Sequence, residues 1–209
     1  MSEIIEQIRK EAEVYFKNSC PSHDWTHVER VYNLCMKIGE EEKADLFVLQ
    51  LAALLHDIGR DEETKNPSNL NHAEISKNKA RTILDRYNID KITKEKVLSA
   101  IETHRFRGNK IPATQEAKIL FDADKLDCIG AIGIARAYSW AGNKKIKLYS
   151  DKDYLGTGYE EEHSPVTEFR FKLKKIKKTL FTTSAKKIAE KRHNFMVSFF
   201  EELNKEVYG

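Results

Sequence analysis

The sequence predicts an all-α protein, and three features of it do so. Apolar residues recur at three- and four-residue spacing along most of the chain, while few stretches alternate with period two. Only four prolines and nine glycines punctuate 209 residues. Charged residues make up 33% and apolar residues 40%, enough for each periodic segment to carry one apolar stripe on a solvated helix.

The periodicity places helices at about 3–18, 23–40, 43–59, 71–87, 93–107, 114–140 and 166–207. The opening segment, MSEIIEQIRKEAEVYF, is charged and helical in period, which does not suit a signal peptide. In the second helix Ser22 is a capping candidate, and Asp24 lies in the first turn, where the helix dipole favours an anion. The third helix is the most apolar and ends in LAALLHDIGR, residues 51–60. The stretch 60–71, RDEETKNPSNLN, reads as a polar loop with turn residues Asn66, Pro67 and Ser68. Asn71 and Glu74 resemble a capping box opening the fourth helix. Gly108 suits the end of the fifth helix and Thr114 the start of the sixth. Residues 141–165 form a long mixed loop, a candidate lid. The last helix is expected to break near Thr182 to Ser184.

Bulk properties narrow the function classes. Three cysteines, Cys20, Cys35 and Cys128, are odd in number and share no C-x-x-C spacing, which argues against a disulfide framework or a thiolate zinc site. Reduced thiols suit a cytoplasmic location. No apolar run is long enough for a bilayer, so no membrane partner is expected. With a net charge of +3, the lysine-rich segment RFKLKKIKK, residues 170–178, is the only strong basic bias. There Phe169, Leu173, Ile176 and Leu180 make an apolar stripe and the lysines fan around it, the pattern of a solvated face; Lys175 and Lys178 are the first choices if the run instead attracts a polyphosphate. Interleaved aromatics and a broad basic excess are absent, so nucleic acid is not an expected partner.

Three helices spoil their own apolar faces. Stepping back one turn from the stripe Val31, Leu34, Ile38 lands on His27. The stripe Leu49, Ala52, Ala53 leads to His56, with Asp57 beside it. The stripe Ala117, Leu120 continues through Asp124 and Asp127 to Ala131 and Ile134. Residues three and four apart share a helix face, so these groups replace core residues. A single histidine on such a face is more often a hydrogen-bonded core residue than a ligand. Three coincident faces with no Lys or Arg on them are explained together by a divalent cation, because each buried polar group needs a partner.

HDWTHVERV (23–31), LLHDIG (54–59) and FDADKLD (121–127), in that order, resemble the H…HD…D signature of the HD-domain metal-dependent phosphohydrolases. The opening HD-x-x-H-x-x-R-V is similar to a bacterial and archaeal subfamily of HD hydrolases whose characterised members resemble nucleotide pyrophosphohydrolases. The resemblance covers residues 20–140, with a weaker echo in AKKIAEKRHNFM (185–196). It implies a compact HD-type helical bundle with a C-terminal helical extension, as one domain over 1–209. It also implies one divalent ion, Mn²⁺, Co²⁺, Ni²⁺, Fe²⁺ or Zn²⁺ with Mg²⁺ as a further candidate, held by His27, His56, Asp57 and Asp124. Asp127, one turn past Asp124, is read as supporting the ligands from behind and is grouped with the catalytic residues.

Cations and histidines near the motifs are candidates for substrate contact and proton transfer. Arg60, Arg105 and Lys125 are assigned to phosphate binding, although Arg60 also has Asp61 and Glu62 within pairing distance in sequence. His72 and His104 are assigned acid–base or phosphate-contact roles in preference to a second metal position, as implied by the mononuclear members of the subfamily. The expected reaction is hydrolysis of a (deoxy)nucleoside triphosphate to monophosphate and pyrophosphate. A 5′-nucleotidase-like phosphomonoesterase and a non-catalytic nucleotide-sensing module are the alternatives. Some HD monophosphatases carry a catalytic Glu three residues after the HD pair, where this chain has Arg60. The expected partner is a small phosphate substrate, and a homodimer is left open.

Overall fold

The computed structural model is described over residues 2–17, 19–20, 22–65, 71–105, 110–150 and 163–209; it is all-α, with no strand among those residues. Contacts divide the chain into two units, Met1–Asp124 with Phe181–Ser184, and Lys125–Leu180 with Ala185–Gly209. Among the described residues, no helix is long and apolar enough to cross a membrane.

The first unit is organised around α3 (Leu46–Leu55). Val48, Leu49, Leu51, Ala52, Ala53, Leu54 and Leu55 are all fully buried, so from Leu51 onward this helix has no solvated face, while Leu46, Phe47 and Gln50 are half-buried. Each large side chain among them contributes about 1.5–3 kcal/mol on burial. Asp45 starts the helix by accepting from Phe47 N and Val48 N. Around it pack α1 (Ser2–Glu13, continued by a 3₁₀ turn at Val14–Phe16), α2 (Trp25–Glu41), α5 (His72–Leu84) and α6 (Lys91–Thr103). After α3 the chain turns through 56–59 into α4 (Arg60–Lys65). Gly59 makes that turn fit: a Cβ there would lie 2.7 Å from Ser76 N and 2.8 Å from Ile75, and its own N–H donates to Ser76 Oγ at 2.9 Å. The turn after α3 is thereby pinned to α5. The last main element, α7 (Gln115–Leu126), is capped by Thr114, whose Oγ1 accepts from Ala117 N.

Several expected boundaries shift. The polar stretch 60–65 is helical, not loop; α4 buries none of its residues, so no apolar stripe marks it in the sequence. Asp24, not Ser22, caps α2, accepting from His27 N at 3.2 Å, while Ser22 bonds to His23. Asn71 caps α5 as expected. Gly108, the turn residues Asn66, Pro67 and Ser68, and residues 151–162 of the expected 141–165 loop lie outside the described residues, while 141–143 belong to a helix.

The second unit contains α8 (Gly130–Asn143), α9 (Pro165–Phe171), a 3₁₀ segment (Leu173–Lys178) and most of α10 (Thr183–Tyr208). The continuous helix expected over 114–140 is broken between Leu126 and Gly130. Gly130 adopts φ +79°, a conformation that favours glycine, and a Cβ there would sit 3.0 Å from Arg192. Arg192 donates to Leu126 O at 2.6 Å, satisfying a carbonyl that the continued helix would have used. The tail breaks before Thr183, as expected, and a second time at Lys172, where φ −125° and ψ −59° leave the helical region. Phe169, Leu173, Ile176 and Leu180 are buried as the stripe requires, and Lys174, Lys175 and Lys178 are exposed.

A buried carboxylate in the first unit and a half-buried one in the second hold these units internally. Asp122 is fully buried; it accepts from Phe181 N at 2.9 Å and from Thr182 N and Oγ1 at 2.7 Å each, and so fixes the entry to α10. Asp122→Ala strands two amides and a hydroxyl, and the expected loss is about 2–4 kcal/mol in urea unfolding; a loss below about 1 kcal/mol contradicts this role. In the second unit Glu168 accepts from His163 Nε2 at 2.5 Å and Lys172 Nζ at 2.6 Å. Burial alone would raise its pKa, but these two partners outweigh burial and bring it to about 2. The folded value lies below the unfolded one of 4.5, so the stabilisation is complete above about pH 4.5 and is lost as pH falls towards about 2. The stability gap between wild type and Glu168→Gln is therefore expected to reach up to about 3 kcal/mol at pH 6 and to close only below about pH 2 in chemical unfolding; a gap independent of pH contradicts the pairing.

Candidate metal centre

Four imidazoles from four positions meet at the end of α3. His27 lies in the first turn of α2, His56 and Asp57 directly follow α3, His72 opens α5, and His104 follows α6. Adjacent rings pack edge to face, with centroids 5.4 Å apart for His27–His56 and 5.2 Å for both His56–His104 and His104–His72. None of the four is more than 4% exposed. Asp124, near the end of α7, brings Oδ1 to 3.5 Å from His27 Nε2.

Local backbone sets which nitrogen each ring presents. His56 Nδ1 donates to Ala53 O at 2.7 Å, and His104 Nδ1 donates to Ile101 O at 2.6 Å. Both rings follow a helix end and use its last free carbonyls, so Nε2 carries the lone pair and faces inward. His72 does the same with a side chain: Nδ1 donates to Glu63 Oε2 at 2.7 Å. Burial, helped by the neighbouring His104 and His27, lowers the His56 pKa to about 4 against the opposing Asp57 and Asp124. Burial likewise lowers that of His72. Rings that stay neutral near pH 7 are suited to donate lone pairs to a cation.

Asp57 sits among all of them. Its Oδ2 lies 3.7 Å from His27 Nε2, 3.8 Å from His56 Nε2 and 3.6 Å from Arg60 Nε. Its Oδ1 faces His104 Nε2 at 3.4 Å and His72 Nε2 at 3.5 Å, electrostatic approaches rather than formed hydrogen bonds, and is buried without a hydrogen-bond partner. Burial would raise the Asp57 pKa, yet Arg60, His56, His104 and His72 together hold it well below the usual carboxylate range. An ionised, buried carboxylate with an orphaned oxygen, flanked by inward lone pairs, fits a cation better than it fits a closed hydrogen-bond network.

The donor atoms form two sets, each with all atoms within 4.8 Å of one another: His27, His56 and Asp124, and Asp57, His72 and His104. The structure thus places three of the expected ligands in one set, and the fourth, Asp57, in the other set with the two expected catalytic histidines. Arg60 pairs with Asp57 and, through Nη1, with Glu63 Oε2 at 3.5 Å, not with Asp61 or Glu62, which engage Lys65 and Lys79. Its Nη1 also lies against the His72 ring, 3.1 Å from Nε2. Arg105 pairs with Glu63 Oε1 at 2.9 Å. Glu63 was not singled out from the sequence; its spacing of three from Arg60 was the available signal, hidden inside a stretch read as loop. Burial would raise its carboxyl, but the His72 hydrogen bond and the charges of His72, Arg105 and Arg60 bring it to about 2.

Asp127 departs from expectation. It follows the last residue of α7 instead of continuing the stripe, and its Oδ2 accepts from Arg136 Nη1 at 2.7 Å. Lys125 is 8% exposed, and Lys175 and Lys178 lie on the 3₁₀ segment; all three belong to the second unit.

The model of the HD domain family matches residues 24–129. The Bacillus subtilis protein YpgQ is 37% identical over 208 residues, spanning 98% of this chain and 94% of its own. The crystal structure of YpgQ in complex with ADP superposes with a TM-score of 0.76 at 35% identity, covering 98% of each chain. An HD-superfamily hydrolase from Bacillus thuringiensis superposes with a TM-score of 0.76 at 29% identity, covering 98% of this chain and 97% of that one.

If the first donor set grips a cation, adding Mn²⁺ should raise the melting temperature of wild type and leave Asp124→Ala unmoved, read by differential scanning fluorimetry. An equal rise in both proteins would contradict the assignment of Asp124.

Proposed function

This chain belongs to the HD-domain family, and on that premise we propose that it is a metal-dependent phosphohydrolase cutting (deoxy)nucleoside triphosphates to monophosphate and pyrophosphate. The observation that carries the reading is the closeness of the His27, His56 and Asp124 donor atoms, with Asp57 Oδ2 3.7 Å from His27 Nε2 and 3.8 Å from His56 Nε2. These four would hold one divalent ion. Bound there, the ion would supply a Lewis acid for a phosphoryl oxygen and make water a stronger nucleophile near neutral pH.

The chain's own residues do the remainder. Arg60 and Arg105, each about three-quarters buried, offer guanidinium donors to phosphoryl oxygens. His104 and His72 have their Nδ1 atoms engaged, so Nε2 is where either ring takes up or gives a proton. Asp57 Oδ1 lies beside both nitrogens and stabilises a proton on either. The buried apolar end of α3, Leu51 to Leu55, supports this end of the bundle rigidly and keeps water from it on one side. Lys125, Lys175 and Lys178 are further proposals for substrate contact. The ADP bound to YpgQ, with the 37% identity, supports a nucleotide as substrate.

A second reading places another ion at Asp57, His72 and His104; the mutual closeness of their donor atoms and the orphaned Oδ1 favour it. A metal-to-protein ratio of two, lowered to one in a His72→Ala, His104→Ala double variant, would support it over the one-ion reading.

Purified protein given Mn²⁺ and a panel of nucleotides should release pyrophosphate from triphosphates, and His104→Ala should lower kcat by about 10²–10⁴. Orthophosphate released from monophosphates alone would favour the phosphomonoesterase, and tight nucleotide binding with no turnover on any plausible metal would favour a sensor.

A further inference from the structure

Glu63 serves three groups at once. Its Oε2 accepts from His72 Nδ1 at 2.7 Å and lies 3.5 Å from Arg60 Nη1, while Oε1 lies 2.9 Å from Arg105 Nη2. One carboxylate therefore ties α4, the first residue of α5 and the chain just after α6. The carboxylate is the more buried partner: its side chain is 16% exposed, against 24% for Arg60 and 26% for Arg105. Two guanidiniums in one neighbourhood repel each other, and a shared anion offsets that repulsion. Each guanidinium has five N–H donors in one plane, so contact with Glu63 leaves several for a second anion. Two such forks flanking one carboxylate suit two linked phosphoryl groups better than a lone phosphate.

We propose that Glu63 is a positioning residue: it sets Arg60, Arg105 and His72 around one carboxylate and thereby makes the site select substrates with at least two linked phosphoryl groups. This rests on the phosphohydrolase reading and deepens it by naming the feature of the substrate that is recognised. Glu63 acts through the arginines and does not itself contact the phosphates.

The test is calorimetric titration of the full chain, with Mn²⁺ matched in cell and syringe, using inorganic pyrophosphate and orthophosphate in turn. Wild type, Glu63→Gln, Arg105→Gln and the double variant are compared. Wild type is expected to hold pyrophosphate at least about tenfold more tightly than orthophosphate. Glu63→Gln should weaken pyrophosphate about tenfold or more and orthophosphate less than about threefold, and in turnover should raise KM more than it lowers kcat. The double variant should bind pyrophosphate about as well as the weaker single variant, because both changes disable one clamp. Equal affinity of wild type for the two anions, equal weakening of both by Glu63→Gln, or losses that simply multiply in the double variant would each overturn the proposal. Should Glu63→Gln not fold, Arg105→Gln alone decides by the same selectivity. Selective binding without turnover removes the hydrolase reading and leaves the clamp standing; turnover without selectivity does the reverse.

Discussion

The structure of the first unit depends on one electrostatic constraint: Asp57 remains ionised although it is 2% exposed. A buried carboxylate without compensation costs several kcal/mol (roughly), and neutralising itself by protonation is its usual escape. Here the Arg60 guanidinium and the adjoining His56, His104 and His72 rings close that escape and hold its carboxyl well below the usual carboxylate range. The imidazoles in turn owe their orientation to backbone carbonyls at the ends of α3 and α6 and to Glu63. A polar centre thus inherits its geometry from where apolar helices stop.

The apolar scaffold and the polar centre are two ends of one device. α3 contributes no polar side chain to its surroundings along its buried length from Leu51 to Leu55, and then presents His56 and Asp57 in succession. Gly59 lets α5 approach the turn closely enough for His72 to reach Asp57. Asp122 anchors α7 from its other face, two residues before Asp124, through the 181–182 backbone. Rigid supports on each side make small displacements of the donor atoms expensive, which is what a cation site with fixed ligands requires.

Much of this was legible in the sequence, for a physical reason. His27, His56 and Asp124 stand on 3.6-residue stripes whose other members are buried aliphatics, and a polar residue on such a stripe has few explanations. The all-α class followed from the same periodicity. What was hidden lies where periodicity carries no information. The break after Leu126 comes from a positive φ at Gly130 and from Arg192, which is 66 residues away. That break carried Asp127 off the stripe and into a pair with Arg136. α4 has no buried residue and hence no apolar signal, so Glu63 was masked within it. Pairings set by tertiary approach, such as Arg105 with Glu63, leave no trace in local spacing.

The central claim is that His27, His56, Asp57 and Asp124 clasp one cation. Anomalous diffraction at the manganese edge, from crystals grown with Mn²⁺, tests it most directly. The account predicts a peak at about 2.0–2.3 Å from His27 Nε2, His56 Nε2 and a carboxylate oxygen of each aspartate. A peak bound elsewhere, or none with these side chains closed on one another by hydrogen bonds, would contradict it.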